Sequence, residues 1–229
     1  MIRFVLLDLD DTILDFGYSE AVALQELLRE YGIVPTEALV MRYSEINDSY
    51  WKRLETGELT RSEVQTGRFA QFFSEMGVDA DAAAANVRYK DLIAGVCRYV
   101  EGAEKLLSDL RAAGYEIYVV SNGSVNVQKG RMHLAGLDHF FDGVFLSEQI
   151  GAEKPSMEFF SHCFARIPNF SLHEAIIVGD SLTSDIKGGL NAGILTCWFN
   201  PRKKSARADI APDFEISALD QLLDLPCFE

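Results

Sequence analysis

Phe4, Val5, Leu6 and Leu7 form an unbroken apolar run that stops at Asp8. Such a run, short and without polar alternation, predicts a strand buried on both faces of a parallel sheet. The period then changes. Between residues 17 and 99 the apolar positions recur at helical spacing, as in Ala21, Leu24, Leu27, Leu28 and Tyr31, with Gly32 closing that helix. Further helices are expected over 35–57 and 60–77, the latter opened by the capping-box pattern Thr60-Arg61-Ser62-Glu63 and closed by Gly77, and a fourth over 80–99.

From Glu101 onward helical and strand patterns alternate. A helix through Leu106, Leu107 and Leu110 ends at Gly114, and strands are expected at 115–120, 143–146, 175–178 and 194–199. Helices at 125–135, 157–166 and 182–192 separate them. This order implies right-handed crossovers and a parallel sheet. The first strand has no partner nearby in sequence and belongs with that second half. The expected fold is therefore α/β: a Rossmann-like parallel sheet flanked by helices, residues 1–15 and 100–229, with an inserted all-helical subdomain at 16–99.

The 229 residues, 48% of them hydrophobic, suffice for a real core. A net charge of −14 argues against a nucleic-acid groove, which needs a basic stripe, but not against a small anionic substrate. The opening apolar run is too short for a signal peptide, and no stretch approaches a membrane span. Cys97, Cys163, Cys197 and Cys227 form no C-x-x-C pair and read as reduced thiols. The expectation is a cytoplasmic protein without membrane or nucleic-acid polymer partners.

Polar residues gather where the strands end. Asp8-Leu9-Asp10-Asp11-Thr12 follows the first, Ser121-Asn122-Gly123 the next, and Gly179-Asp180-Ser181 a later one, with Asp185 five positions after Asp180 and Lys154-Pro155 ahead of a helix. Taken singly each has a plain reading: a turn with an Asp cap, a turn, a helix-start carboxylate, a solvated lysine. In a parallel sheet they converge on one edge, where such folds bind ligands. Two acidic clusters, a hydroxyl and a lysine suit phosphoryl transfer. Mg2+ would be held by Asp8 and Asp180, and phosphoryl oxygens by Lys154, Ser121 and the Asn122 amide. One carboxylate would attack phosphorus, and another two residues on would move the proton. Both carboxylates must reach one phosphoryl group beyond the end of the strand, so a bend after Leu9 is expected.

Four motifs in this order, Asp8-x-Asp10-x-Thr12, Ser121-Asn122-Gly123, Lys154-Pro155 and Gly179-Asp180-(x)4-Asp185, resemble the haloacid dehalogenase-like hydrolases. The resemblance implies Asp8 as nucleophile, Asp10 as general acid and base, and Mg2+ bound by Asp8, Asp180 and the Asp10 main-chain carbonyl. Asp185 would support the metal's waters or Lys154. The helical insertion is similar to the family's small cap. Asp10 sets the chain apart from dehalogenases, which lack it, while phosphomutases share both aspartates. Gly179-Asp180-Ser181-Leu182-Thr183-Ser184-Asp185-Ile186, Cys197-Trp198-Phe199-Asn200 and, in the insertion, Asn47, Trp51, Glu55 and Arg68-Phe69 look like the pyrimidine 5′-nucleotidase branch. That implies a phosphomonoesterase with an aspartyl-phosphate intermediate and a nucleoside 5′-monophosphate substrate. Alternatives are a sugar-phosphate or phosphoglycolate phosphatase, a phosphomutase, or a non-catalytic binding module. Phe16, Trp51 and Arg68 are candidate substrate contacts, against a core role for Trp51 and a carboxylate partner for Arg68. The basic residues Arg202, Lys203, Lys204 and Arg207 read as a solvated patch.

Overall fold

The computed structural model describes residues 1–228. Six strands form one parallel sheet: β1 (Phe4–Leu7), β2 (Glu116–Ser121), β3 (Gly143–Leu146), β4 (Ala175–Gly179), β5 (Leu195–Phe199) and β6 (Phe214–Ile216). Their spatial order is β3-β2-β1-β4-β5-β6. The first strand thus lies between β2 and β4, with Leu7 opposite Val119 on one side and Val178 on the other. All four of its residues are fully buried, which is why its apolar run has no polar alternation. Order reverses on either side of β1, and in doubly wound sheets that switch point opens the crevice used by ligands. Strand β6 is an addition to the expected set. It has only three residues, with the exposed Glu215 in the middle, and its pairing with β5 supplies what its own pattern lacks.

The chain separates into two compact units. One comprises Met1–Asp15, Arg98–Val125 and the chain from Ala135 onward, and holds the whole sheet. Helices α5 (Ala103–Ala112), α7 (Ser147–Ile150), α8 (Met157–Phe164) and α9 (Lys187–Ala192) belong to it. One of its cores joins Phe4, Leu6, Val120 and Ile177 of the sheet to Phe159, Phe160 and Cys163 of α8. Gly189 lets α9 approach the sheet: a Cβ there would lie 2.5 Å from Ile177 Cγ2 and 2.6 Å from Thr196 Cγ2. Gly193 has a different task, closing α9 at a φ of 72°.

The second unit comprises Phe16–Cys97 and Asn126–Leu134. It contains α1 (Phe16–Glu30), α2 (Glu37–Glu55), α3 (Arg61–Met76) and α4 (Ala82–Ala94), together with most of α6 (Val125–Leu134). The Thr60 capping box forms as its sequence predicts, Thr60 accepting from the Glu63 amide and Glu63 from that of Thr60. Helix α4 stops at Gly95, short of the expected residue 99. Residues beyond it pair instead with the end of the first segment: Leu14 bridges Tyr99, and Asp15 donates its amide to the Arg98 carbonyl at 2.8 Å. Among the described residues, no helix is long and apolar enough to cross a membrane.

The helical unit is built round aromatic rings. Tyr43 stands 5.1 Å from Phe69, 5.3 Å from Phe72 and 5.6 Å from Tyr89 between ring centroids. Beside them lies a buried polar network. Arg68 donates to Asn47 Oδ1 at 2.6 Å and to Asn86 Oδ1 at 2.9 Å, and Asn47 Nδ2 donates to Glu20 at 2.9 Å. Trp51 Nε1 donates to the same Asn47 oxygen at 3.1 Å.

Candidate active site

At the carboxyl end of β1 the Asp8 amide still bonds the Val178 carbonyl at 2.9 Å, so Asp8 sits in line with the strand. The bend comes immediately after. Ile13 and Leu14 both donate amides to the Leu9 carbonyl, Asp11 donates to Leu14, and Asp11 itself takes a φ of 57°. An aspartate tolerates that left-handed conformation better than most side chains. The expected loop after Leu9 is thus a tight reversal that carries Asp10 off the strand line.

Lys154 is the centre of the cluster. Its ammonium, 1% exposed, donates to Asp8 Oδ1 at 2.7 Å, Asp185 Oδ1 at 2.6 Å and the Val120 carbonyl at 2.6 Å. Three acceptors satisfy the three protons of an ammonium. Burial alone would lower the Lys154 pKa, but Asp185 and Asp8 outweigh it and hold the amine charged. The lysine is placed by Asn122, whose Nδ2 donates to the Lys154 carbonyl and whose Oδ1 accepts the Lys154 amide, both at 2.9 Å. Ser121 is buried at the end of β2, and its Oγ accepts the Gly123 amide at 3.0 Å.

Asp185 returns to the cluster through a wide π-helical turn, Leu182–Ile186. Such turns insert one extra residue and redirect the chain beyond them. Ser181 organises it, accepting the Ser184 amide on Oγ and donating its own amide to Asp185 Oδ2 at 3.1 Å. Gly179 makes room. A Cβ at that position would stand 2.2 Å from Asp185 Oδ2 and 2.3 Å from its Cγ. Gly179→Ala should therefore push Asp185 away from Lys154, at a cost of about 1–3 kcal/mol from overpacking. Thermal denaturation of the purified variant measures this. A melting temperature equal to that of the unmodified protein would show that Asp185 yields without cost.

One oxygen each from Asp8, Asp180 and Asp185 fall within 4.8 Å of one another. Burial pushes the Asp8 carboxyl well above the ordinary carboxylate range; Lys154 opposes the rise, while Asp185 and Asp10 add to it. Burial likewise raises Asp180 to about 6, against the pull of Lys204 and with Asp185 and Asp11 adding to it. Carboxylates thus outnumber the cations near them, and a further positive charge would relieve the excess. The donors are all oxygen, as a hard divalent ion such as Mg2+ requires. Asp185 has both oxygens engaged, by Lys154 and Ser181, so Asp8 and Asp180 are the better direct ligands.

Asp8, Ser121, Asn122, Lys154, Asp180 and Asp185 are therefore gathered at one edge of the sheet, with Asp10 in the reversal beside them. The three candidates in the helical unit are placed differently. Arg68 is 4% exposed and committed to Asn47 and Asn86, and Trp51 is half-buried with Arg61 over its ring. Phe16, at the start of α1, packs beneath the Arg131 guanidinium. The sequence offered Asn200 only within the likeness to the nucleotidase branch and Lys204 only within a solvated basic patch, and gave neither a role at the site. Asn200 is buried just beyond β5, and Lys204 donates to Asp180 Oδ2 at 2.9 Å. An asparagine directly after an apolar strand, four residues ahead of a lysine, was the available signal.

A family model for haloacid dehalogenase-like hydrolases matches residues 2–193. The chain is 40% identical to the HAD-hydrolase YfnB of Bacillus subtilis, over 96% of this chain and 93% of that protein. A crystal structure of YfnB with bound magnesium, for which interdomain movement is described, superposes with a TM-score of 0.93 and covers 97% of each chain. Pyrimidine 5′-nucleotidase PynA of Streptococcus pneumoniae is 37% identical over 97% of this chain and 94% of its own. A glyceraldehyde 3-phosphate phosphatase of Methanopyrus kandleri is 30% identical over 98% and 97%.

Proposed function

The chain belongs to the haloacid dehalogenase-like hydrolases and is a phosphoric monoester hydrolase, and from that premise we propose an Mg2+-dependent 5′-nucleotidase that works through an aspartyl-phosphate on Asp8. The observation that carries this reading is the buried Asp8–Lys154–Asp185 arrangement at the end of β1, with Asp180 beside it. A carboxylate fixed by an ammonium in a site with little water is a positioned nucleophile.

The reaction takes two displacements. An oxygen of Asp8 forms a bond to phosphorus as the bond from phosphorus to the ester oxygen breaks, and Asp10 gives its proton to the departing alcohol oxygen. Asp10, now a carboxylate, removes a proton from water; that oxygen attacks phosphorus and the bond to Asp8 breaks, releasing inorganic phosphate. Ser121 and the Asn122 amide bind phosphoryl oxygens, while Lys154 holds Asp8 and Asp185 in place. Mg2+ would be held by Asp8, Asp180 and the Asp10 carbonyl, and when bound it neutralises charge on the phosphoryl group.

Substrate choice belongs to the helical unit. In this reading Phe16, Trp51 and Arg68 are the candidate residues for that choice, Arg68 acting through Asn47, to whose Oδ1 both Arg68 and the Trp51 indole donate. The pyrimidine assignment is supported by the likeness to PynA. A panel of dUMP, dTMP, purine nucleotides, glyceraldehyde 3-phosphate and phosphoglycolate, assayed for phosphate release with Mg2+ or EDTA, tests it. Pyrimidine nucleotides should lead and EDTA should abolish turnover. A sugar phosphate leading by a wide margin would overturn the nucleotidase assignment, and isomer interconversion without free phosphate would overturn the hydrolytic one.

A further inference from the structure

Two asparagines use the same device at the sheet edge. Asn122, after β2, clamps the Lys154 backbone with both ends of its amide. Asn200, after β5, does the same to Lys204: its Oδ1 accepts the Lys204 amide at 2.8 Å and its Nδ2 donates to the Lys204 carbonyl at 3.0 Å. Asn200 is anchored in turn, donating its own amide to Ile216 at 2.7 Å and Nδ2 to Glu215 at 2.7 Å, while Lys203 donates to its carbonyl. Each clamped lysine bonds an acidic residue of the cluster, Lys154 reaching Asp8 and Asp185, and Lys204 reaching Asp180.

The two lysines differ in surroundings. Lys154 is sealed inside the protein, whereas the Lys204 side chain is 48% exposed. Lys204 also lines a cavity of about 300 Å³ together with Asp11, Asp180, Phe199 and Arg202. Asp180 is held from its other side by Trp198 Nε1, which donates to the Asp180 carbonyl at 2.9 Å. Its backbone is therefore fixed, and the exposed lysine is the partner able to move.

We propose that Lys204 is a built-in competitor for the divalent cation at Asp180, a positioning residue that sets cation affinity and swings into the adjoining cavity when the ion binds. Lys204 occupies Asp180 Oδ2, and its ammonium would repel a cation held on the same carboxylate, so cation binding should weaken or break the Lys204–Asp180 pair. The chain Asn200–Lys204–Asp180 holds the ammonium ready to return. This inference rests on the proposed role of Asp180 as a ligand.

The test is equilibrium binding of Mn2+, followed by electron paramagnetic resonance without substrate, to the full-length protein and its variants. Lys204→Met should bind Mn2+ about two- to fivefold more tightly, the range expected from removing one partly exposed ion pair. Lys204→Arg should stay near the unmodified protein. Asn200→Ala, which releases the loop but keeps the lysine, should shift affinity in the same direction by less. Arg207→Met, whose partner is Asp209, should not move it. Unchanged or weaker binding by Lys204→Met, with Asp180→Asn losing binding as expected, would overturn the competitor role alone. Full binding by Asp180→Asn would overturn the ligand assignment and this inference with it.

Discussion

Replacing Asp8 with asparagine is expected to reduce phosphate release by more than about 10⁴-fold while leaving the fold intact. The amide keeps an oxygen that can accept the Lys154 proton now donated to Asp8 Oδ1, so the loop after β1 retains its anchor. What it lacks is a nucleophilic carboxylate. The same change removes a buried charge whose burial is unfavourable enough to lift its pKa, so the melting temperature should hold or rise. Activity thus falls while stability does not, a signature that general misfolding cannot mimic. Single-turnover phosphate release and a thermal melt on the same sample read both. Activity within tenfold of the unmodified enzyme would remove Asp8 from the mechanism.

Lys154→Met should have the largest effect on stability, about 3–5 kcal/mol, because it strands Asp8 and Asp185 beside each other without their shared counter-ion. The loss should depend on pH with a definite sign. Asp8 in the folded protein already holds its proton to higher pH than an unfolded aspartate does, so stability declines as pH rises through that range. Lys154 is the influence that limits the rise, and without it the carboxyl climbs further. Urea denaturation should therefore show a larger deficit at pH 8 than at pH 5. Equal deficits at the two pH values would mean that packing, not charge, accounts for the loss.

The edge of the sheet was legible because apolar runs mark where strands stop, and Asp8, Ser121 and Asp180 each come directly after such a run. The partners of those residues were harder to read. Lys154 was expected on the phosphoryl group, yet its three protons go to Asp8, Asp185 and Val120. That outcome results from burial of two carboxylates together, a property of packing that no local spacing encodes. Lys204 read as one of four solvated basic residues, and its contact with Asp180 depends on the Asn200 clamp. Strand β6 escaped notice because three residues with a polar centre carry no period, its place being fixed by the edge of β5. In the insertion, helix starts and stops were readable from Thr60, Gly77 and Gly32. The inward commitment of Arg68 was not, since charge alone does not tell a buried hub from a surface contact.

The position of β1 in the middle of the sheet has a consequence for how the protein is made. Its two neighbours are encoded far downstream, β2 at Glu116–Ser121 and β4 at Ala175–Gly179. At roughly 5–20 residues per second, a ribosome that has finished β1 needs on the order of ten to thirty seconds before β4 exists. Until β2 emerges, for the larger part of that interval, the most apolar strand of the molecule has no partner strand, while the helical segment after it carries its own aromatic core. The nascent chain is therefore most exposed to wrong pairing at β1, and a holdase chaperone acting on that segment would matter more to yield than one acting on any later strand.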